Sequence, residues 1–92
     1  MTKKWGNSVE REIKRRIMIS IYAFAYEIEN DSLISDGEYD KLAMELDLEI
    51  RTGNKIMDRF FENEFDASTG MWIYKHPGLE RIKELYFEYF AL

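Results

Sequence analysis

The chain has 92 residues, of which 46% are hydrophobic and 15% aromatic, and its formal net charge at pH 7 is −5. This length fits a single domain, and the hydrophobic content excludes an intrinsically disordered chain. Since cysteine is absent and histidine occurs once, disulfides and tetrahedral Cys/His zinc sites are excluded as well.

Basic and acidic residues are unevenly distributed along the chain. Residues 1–20 contain six Lys or Arg and two Glu, whereas residues 21–92 contain seven basic and sixteen acidic residues. Non-specific nucleic-acid binding requires clustered positive charge, so the acidic part argues against a nucleic-acid partner and suits a basic protein partner. Trp5, beside two lysines, is expected to pack at the start of the first helix rather than to contact nucleic acid.

The longest apolar run, residues 17–26, is too short for a transmembrane helix. It covers about half of a bilayer span, and charged residues precede it. No small-residue cleavage site follows it, which argues against a signal peptide. The expected localisation is therefore cytoplasmic, without a membrane segment.

Hydrophobic spacing predicts an all-α fold, a single domain over residues 1–92 in which a small bundle of about four helices is built on an N-terminal antiparallel hairpin (7–51). The first helix begins near Asn7, with Glu10 as its capping-box partner. Its inward face recurs every three or four residues and consists of Val9, Ile13, Ile17, Ile21, Phe24 and Ile28. The polar residues 29–32 predict the turn that follows.

The second helix of the hairpin is predicted to begin at Ser35. Glu38 completes an S-x-x-E capping box there, and the sequence TGN, residues 52–54, ends the helix. The inward face of this helix consists of Tyr39, Leu42, Ala43, Leu46 and Ile50. The hairpin is therefore expected to continue to residue 51.

Two C-terminal helices are predicted over residues 55–63 and 77–91, with Pro77 in the first turn of the last one. Their inward residues are Ile56, Met57, Phe60 and Phe61 in the first, and Leu79, Ile82, Leu85, Tyr86, Tyr89 and Phe90 in the second. Between them, residues 71–74 are expected to form a short extended segment. His76 is interpreted as a structural cap rather than a catalytic base, because no Ser or Cys is obviously paired with it.

The C-terminal sequence LYFEYFAL, residues 85–92, is almost entirely apolar. A bundle this small cannot easily bury all of these side chains, so part of the segment is expected to face a protein partner or a second copy in a homodimer. The alternative is that this helix lies at the centre of the core. The composition of this segment does not distinguish between a surface that faces a partner and a helix at the centre of the core.

One turn of the second helix has the residues of a binding site. Asp36, Tyr39 and Asp40 stand at positions i, i+3 and i+4, so they project from neighbouring positions. Two carboxylates there can accept hydrogen bonds from vicinal hydroxyls, while a tyrosine ring can stack on a flat heterocycle. The alternative is structural, because Asp in a first turn favours the helix dipole and Tyr39 belongs to the apolar face.

A second line of residues runs along the first helix. Arg11, Arg15, Met18, Tyr22 and Tyr26 fall on one side of it, roughly opposite the inward face. A line that is basic at one end and aromatic at the other can hold a phosphate and a ring. The alternative is an exposed basic end that leads into a helix buried on both faces.

The segment AYEIENDSLISDGEYDKLAMELDLE resembles the small N-terminal (Ia-type) helical domain of the NAD-dependent DNA ligases, over about residues 13–49. That family has a tyrosine at the position of Tyr26 and an aspartate–tyrosine–aspartate set at Asp36, Tyr39 and Asp40. In the family these positions recognise the nicotinamide mononucleotide half of NAD. The resemblance implies that the two tyrosines stack on the ligand and that the two aspartates hold its ribose or nicotinamide groups.

By the same resemblance Tyr22 joins this ligand site. Arg11 and Arg15, at the basic end of the line along the first helix, are candidate phosphate contacts. The chain departs from the family pattern at four places, which are Glu27 for histidine or tyrosine, Asn30 for aspartate, Ser32 for proline and Gly37 for alanine. The carboxylate of Glu27 would repel the phosphate of a mononucleotide.

Ligase chemistry also requires a nucleotidyltransferase domain whose lysine nucleophile lies in a K-x-D-G motif. The nearest string here is KIMDR, residues 55–59, which has different spacing and no glycine. With no nucleophile, phosphate loop or metal motif in view, we expect a protein that is not an enzyme and that requires no cofactor, with NAD or nicotinamide mononucleotide as a ligand.

Three functions remain open on the sequence. The first is a non-catalytic, stand-alone module that binds nicotinamide mononucleotide or NAD. The second is a small acidic protein–protein interaction protein, such as a phage-type inhibitor or adaptor, that reuses the hairpin as a scaffold. The third is an accessory subunit of a split DNA ligase.

Overall fold

The computed structural model describes residues 7–91, and all regular elements in that range are helical. They are α1 (Ser8–Glu27), α2 (Asp36–Glu45), α3 (Lys55–Glu64), a 3₁₀ helix (Met71–Lys75) and α4 (Leu79–Tyr89). The predicted all-α bundle of four helices is confirmed. Within the described range no helix is both long and apolar enough to cross a membrane. The expectations for Trp5 and for residue 92 fall outside it.

Both predicted capping boxes are present and set the starts of α1 and α2. The Asn7 side chain accepts the N–H of Glu10 at 2.8 Å, and the Glu10 carboxylate accepts the N–H of Asn7 at 2.9 Å. Ser35 and Glu38 exchange the same pair of bonds at 3.1 and 3.0 Å. Each box satisfies two backbone donors that a helix start leaves without intrahelical partners.

α1 is the central element, because it packs against α2, α4 and the 3₁₀ helix. Ile21 and Phe24 of its predicted face are buried, but Ile17 is exposed. The buried face is rotated from the apolar one in the first half of α1, where the charged residues Glu12 and Arg16 point inward. The predicted inward face is therefore wrong at Ile17, while Val9 and Ile13 are only partly buried.

A buried ion network explains this rotation. The Arg16 guanidinium donates to Glu12 Oε2 at 2.8 Å and to Asp58 Oδ1 at 2.9 Å. It also donates to the backbone carbonyls of Asp47 (3.0 Å) and Ile50 (3.1 Å). Each of its three nitrogens thus donates at least one hydrogen bond, which offsets the cost of burying a guanidinium.

The same network corrects the predicted end of α2. The helix stops at Glu45, not near residue 51, and Leu46 has extended backbone angles. Glu12 Oε1 accepts the N–H of Asp47 at 3.0 Å, and Arg16 binds the carbonyls that follow. Residues 46–54 wrap around these two side chains instead of continuing the helix, because their backbone groups find partners there.

The region around residues 71–78 also differs from the prediction. Residues 71–74 are helical rather than extended, since Ile73 N–H donates to the Gly70 carbonyl at 3.1 Å in a 3₁₀ turn. Pro77 precedes α4 instead of lying in its first turn. The predicted cap is confirmed, because His76 Nδ1 accepts the N–H of Gly78 at 2.9 Å.

The two C-terminal helices bury fewer of their apolar residues than predicted. Phe60 and Phe61 are buried and pack on the rings of Trp72 and His76, with centroids 5.1–6.1 Å apart. In α3, Ile56 is exposed although it was expected to face inward.

In α4 the side chains of Ile82 and Tyr86 are buried in the core, while Tyr89 is exposed. Tyr86 packs on Phe24 of α1 with ring centroids 5.4 Å apart. Its hydroxyl donates to Asp31 Oδ2 at 2.7 Å, and this hydrogen bond raises the pKa of Tyr86 to about 12. α4 therefore anchors the loop that leaves α1.

Candidate ligand-binding cleft

The loop between α1 and α2 is shaped by a left-handed residue. Asn30 has a φ of 54°, a conformation that asparagine adopts more readily than most residues. The next residue, Asp31, donates its N–H to the Ala25 carbonyl at 2.8 Å and accepts the Tyr86 hydroxyl. These contacts turn the chain sharply and set the first turn of α2 beside the end of α1.

A cleft of about 360 Å³ lies where these segments meet. Three segments of the chain line it. The end of α1 contributes Tyr22, Ala23, Tyr26 and Glu27, and a turn distant in sequence contributes Ser68, Thr69 and Gly70. The remaining lining residues come from the α1–α2 loop and from α2, and they are Ser32, Leu33, Ile34, Ser35, Asp36, Tyr39 and Asp40. Its volume falls within the range of ordinary small-molecule sites.

All five ligand residues singled out in the sequence line this one cleft: Tyr22, Tyr26, Asp36, Tyr39 and Asp40. The two candidate phosphate contacts do not line it. Arg15 pairs instead with Glu12, whose Oε1 lies 3.0 Å from its Nη2. Arg11 lies a further turn away from the cleft along α1.

Two of the three tyrosines are held in place by other parts of the fold. The Tyr39 hydroxyl donates to the Thr69 carbonyl at 3.2 Å, and the same carbonyl accepts the indole N–H of Trp72 at 2.9 Å. Tyr22 packs edge-on against Phe90, with ring centroids 6.3 Å apart. These rings therefore form walls of fixed orientation.

Burial raises the pKa of Tyr39 to about 12, and the negative charges of Glu27, Asp40 and Asp66 act in the same direction. The hydroxyl consequently stays protonated at neutral pH and remains a hydrogen-bond donor to Thr69. Tyr39 thus contributes a neutral ring to the cleft, not a phenolate that could act as a base.

Four polar side chains of the cleft are unpaired, whereas its serines and Thr69 are engaged in hydrogen bonds. Among the described residues, the side chains of Tyr26, Glu27, Asp36 and Asp40 make no hydrogen bond or ion pair. The Tyr26 side chain is 58% exposed. Since like charges four residues apart on a helix repel each other, the pairing of Asp36 with Asp40 weakens α2 rather than strengthening it.

The third wall of the cleft is missing from the sequence prediction. Asp66 Oδ1 accepts the N–H of Ser68 at 2.9 Å and its hydroxyl at 2.7 Å, which closes the turn before Gly70. A Cβ at Gly70 would lie 3.3 Å from Glu27 Cγ and from its Oε2. Glycine therefore allows this turn to approach the end of α1.

Glu27 is another cleft residue that the prediction did not include as a ligand contact. The Tyr74 hydroxyl donates to its backbone carbonyl at 2.9 Å, which satisfies an acceptor at the end of α1. A turn sequence such as DASTG signals its own local shape, but no local pattern indicates that it packs against residue 27. Only the tertiary fold brings the two together.

Comparison with family models, with curated proteins and with solved structures finds no match to this chain. The functional interpretation of the cleft therefore depends on its own geometry and chemistry.

Proposed function

We propose that this protein is a non-catalytic module that binds nicotinamide mononucleotide or NAD in the cleft between α1, α2 and the turn at residues 68–70. One observation carries the proposal: the residues selected from the sequence for this ligand, from positions 22 to 40, line a single cleft of suitable size. The resemblance to the N-terminal domain of NAD-dependent DNA ligases supplies the ligand class.

The side chains suggest a division of roles. Tyr26 offers an exposed ring on which a flat heterocycle can stack, and Tyr39 offers a second ring fixed by Thr69. Asp36 and Asp40 have free carboxylate oxygens that can accept hydrogen bonds from ribose hydroxyls or from a carboxamide. Ser35 is less available, because its hydroxyl already caps α2.

Replacing Tyr26 by alanine tests the proposal. Loss of one stacking ring typically costs about 1–3 kcal/mol, so we expect the affinity for nicotinamide mononucleotide to fall at least about fivefold. Because Tyr26 is largely exposed, the unfolding free energy should change by less than about 0.5 kcal/mol. Calorimetry and NMR titration measure the affinity, and urea denaturation measures the stability.

Tyr89→Ala is the matched control, since Tyr89 is similarly exposed at 67% but lies on α4 and does not line the cleft. Its affinity should equal that of the unmodified chain. If neither the mononucleotide nor NAD shifts the NMR signals of Tyr26, Tyr39 or Asp40 at millimolar concentration, the proposal is wrong.

A second function is favoured by a different surface. Phe87 and Tyr89 of α4 are 47% and 67% exposed, in a part of the chain where acidic residues outnumber basic ones by sixteen to seven. Exposed aromatic side chains are common at protein interfaces. An acidic interaction protein should co-purify with a basic partner through this helix, and its affinity should fall as salt rises.

The third function, an accessory subunit of a split DNA ligase, requires the first one. If the cleft binds the mononucleotide, adding this chain to a ligase that lacks its own N-terminal domain should stimulate self-adenylation by NAD. The Tyr26→Ala variant should then lose the stimulation together with the binding, whereas Tyr89→Ala should retain both.

A further inference from the structure

The cleft has an unusual balance of charge. Three carboxylates line it, those of Glu27, Asp36 and Asp40, and among its described lining residues none is Lys, Arg or His. None of the three carboxylates has a hydrogen-bond or ion-pair partner within the described part of the chain. Carboxyl groups are ordinarily ionised near neutral pH, so the cleft carries negative charge that no cationic side chain in its described lining compensates.

A metal ion does not account for these carboxylates. Within residues 7–91, no three His, Asp or Glu side chains lie close enough together to hold one. The carboxylates are distributed around the cleft, since Glu27 ends α1 while Asp36 and Asp40 occupy successive turns of α2. A larger organic ligand can meet all of them, whereas a bare cation cannot.

The aromatic residues that line the cleft indicate the rest of the ligand's chemistry. Tyr22, Tyr26 and Tyr39 all border the cleft, and a hydrogen bond to the Thr69 carbonyl fixes the orientation of the Tyr39 ring. The faces of aromatic rings attract organic cations, and this attraction adds to that of nearby carboxylates. An aromatic cleft with unpaired carboxylates therefore matches a flat ligand that carries positive charge.

We infer that the cleft selects flat organic cations over anions of the same shape, and that its preferred ligand is a pyridinium riboside without a phosphate. This inference rests on the proposed function, because it specifies the chemical class within it. The positively charged ring lies between the tyrosines, and the ribose hydroxyls meet Asp36 and Asp40. A 5′-phosphate would add negative charge near Glu27, which no lining cation offsets.

The test compares ligands that differ in charge. Calorimetric titration at low salt with nicotinamide riboside and with nicotinamide mononucleotide should show the riboside binding about tenfold more tightly, and the difference should shrink at high salt. A second pair, 1-methylnicotinamide and nicotinate, lacks ribose and phosphate. The methylnicotinamide cation should bind more tightly than the nicotinate anion.

Glu27→Gln removes one charge while it retains the size of the side chain. We expect it to reduce the preference for the riboside over the mononucleotide several-fold. Glu29→Gln is the matched control, because Glu29 is an exposed neighbour that does not line the cleft, and it should leave the preference unchanged. An equal effect of the two variants would overturn the inference.

The outcomes separate the inference from the proposed function. If the mononucleotide binds as tightly as the riboside or more tightly, charge selection is wrong and nucleotide binding stands. If only 1-methylnicotinamide binds, the preference for organic cations stands, but the preference for the riboside and nucleotide binding are both wrong. If none of the four ligands binds, both are wrong.

Discussion

Arg16 joins three segments of the chain through four hydrogen bonds, to Glu12, to Asp58 and to the carbonyls of Asp47 and Ile50. Its guanidinium carbon also lies 5.4 Å from the ring centre of Phe61. Every member of this network is satisfied, and no buried side-chain polar atom among the described residues lacks a partner. A network of this kind is costly to break at one member, because the others are then left buried and unpaired.

Arg16→Met should therefore be strongly destabilising. The variant retains an aliphatic side chain but leaves the carboxylate of Asp58 buried without its cation and removes one of the two arginine partners of the buried Glu12, which typically costs about 3–5 kcal/mol. Small domains are stable by only about 5–15 kcal/mol, so much of the stability should disappear. Urea denaturation followed by circular dichroism measures the change.

Arg51→Met provides the control, since Arg51 pairs with Glu62 at 2.7 Å but both side chains are largely exposed. Exposed pairs contribute about 0–1 kcal/mol, so this variant should remain nearly as stable as the unmodified chain. Equal losses in the two variants would mean that the Arg16 network does not stabilise the fold as described.

The sequence could not have predicted this network. Glu12 and Arg16 are four residues apart on a helix, a spacing that is typical of a solvated ion pair on an exposed face. Their burial depends on Asp58, which follows Arg16 by 42 residues, and on backbone carbonyls of an irregular segment. No local pattern carries that information, and the hydrophobic spacing of α1 favours a different face.

Among the elements, the first turn of α2 is the one that carries the candidate site, and it contains a glycine. A Cβ at Gly37 would meet nothing within 4 Å, and its φ lies outside the left-handed region. Glycine at a helical position costs about 0.5–1 kcal/mol relative to alanine. Gly37→Ala should therefore stabilise the protein by about 0.5 kcal/mol, measured as a rise in the urea midpoint, without altering ligand affinity.

Gly53→Ala is the matched control for that substitution. A Cβ at Gly53 is also free of contacts, but the residue has a φ of 90°, which side-chain-bearing residues rarely adopt. This variant should lose about 1 kcal/mol or more. If both variants shift stability in the same direction, backbone conformation does not determine the effect at these two glycines.

The starts of α1 and α2 were predictable because each is encoded by a local capping box, Asn7 with Glu10 and Ser35 with Glu38. The bounds of some other elements could not be predicted from such local patterns. The end of α2 depends on the Arg16 network, whose members lie up to 42 residues apart in the chain. Elements whose bounds are set by distant side chains escape prediction from local sequence.

At the scale of the whole molecule, the candidate cleft combines both kinds of information. Two of its walls come from the hairpin, where spacing and resemblance identified Tyr26, Asp36 and Asp40. The third wall, around Gly70, comes from a turn more than forty residues after Tyr26 and is visible only in the folded chain. Its approach to Glu27 completes the cleft.

Global stability should depend on pH through His76, the single histidine of the chain. Burial lowers its pKa from 6.5 to about 4, so the folded state holds it neutral while the unfolded state takes up a proton near pH 6.5. The neutral imidazole therefore makes its full contribution to the unfolding free energy above pH 6.5, and this contribution is lost as the pH falls towards 4. From the linkage relation, the unfolding free energy should be about 2 kcal/mol lower at pH 5 than at pH 8.

Asp58 affects the stability of the fold over a different, more acidic pH range than His76. Burial alone would raise its pKa, but the hydrogen bonds from Thr52 and the charge of Arg16 outweigh burial and hold the pKa of this carboxyl below its ordinary value of 3.8. A carboxyl group of this kind stabilises the fold above that value and ceases to do so as the pH falls through the lower folded-state pKa. The two groups can therefore be separated by the pH at which stability is lost.

His76→Asn isolates the histidine contribution, because asparagine offers an acceptor for the Gly78 N–H but does not titrate. Urea denaturation at pH 8, 6 and 5 should show that the variant is less stable at pH 8 but loses far less on acidification to pH 5. NMR titration of the unmodified chain should in parallel place the imidazole pKa near 4. A measured pKa near 6.5, or equal acid losses in the two proteins, would show that the folded core does not exclude the charged imidazole.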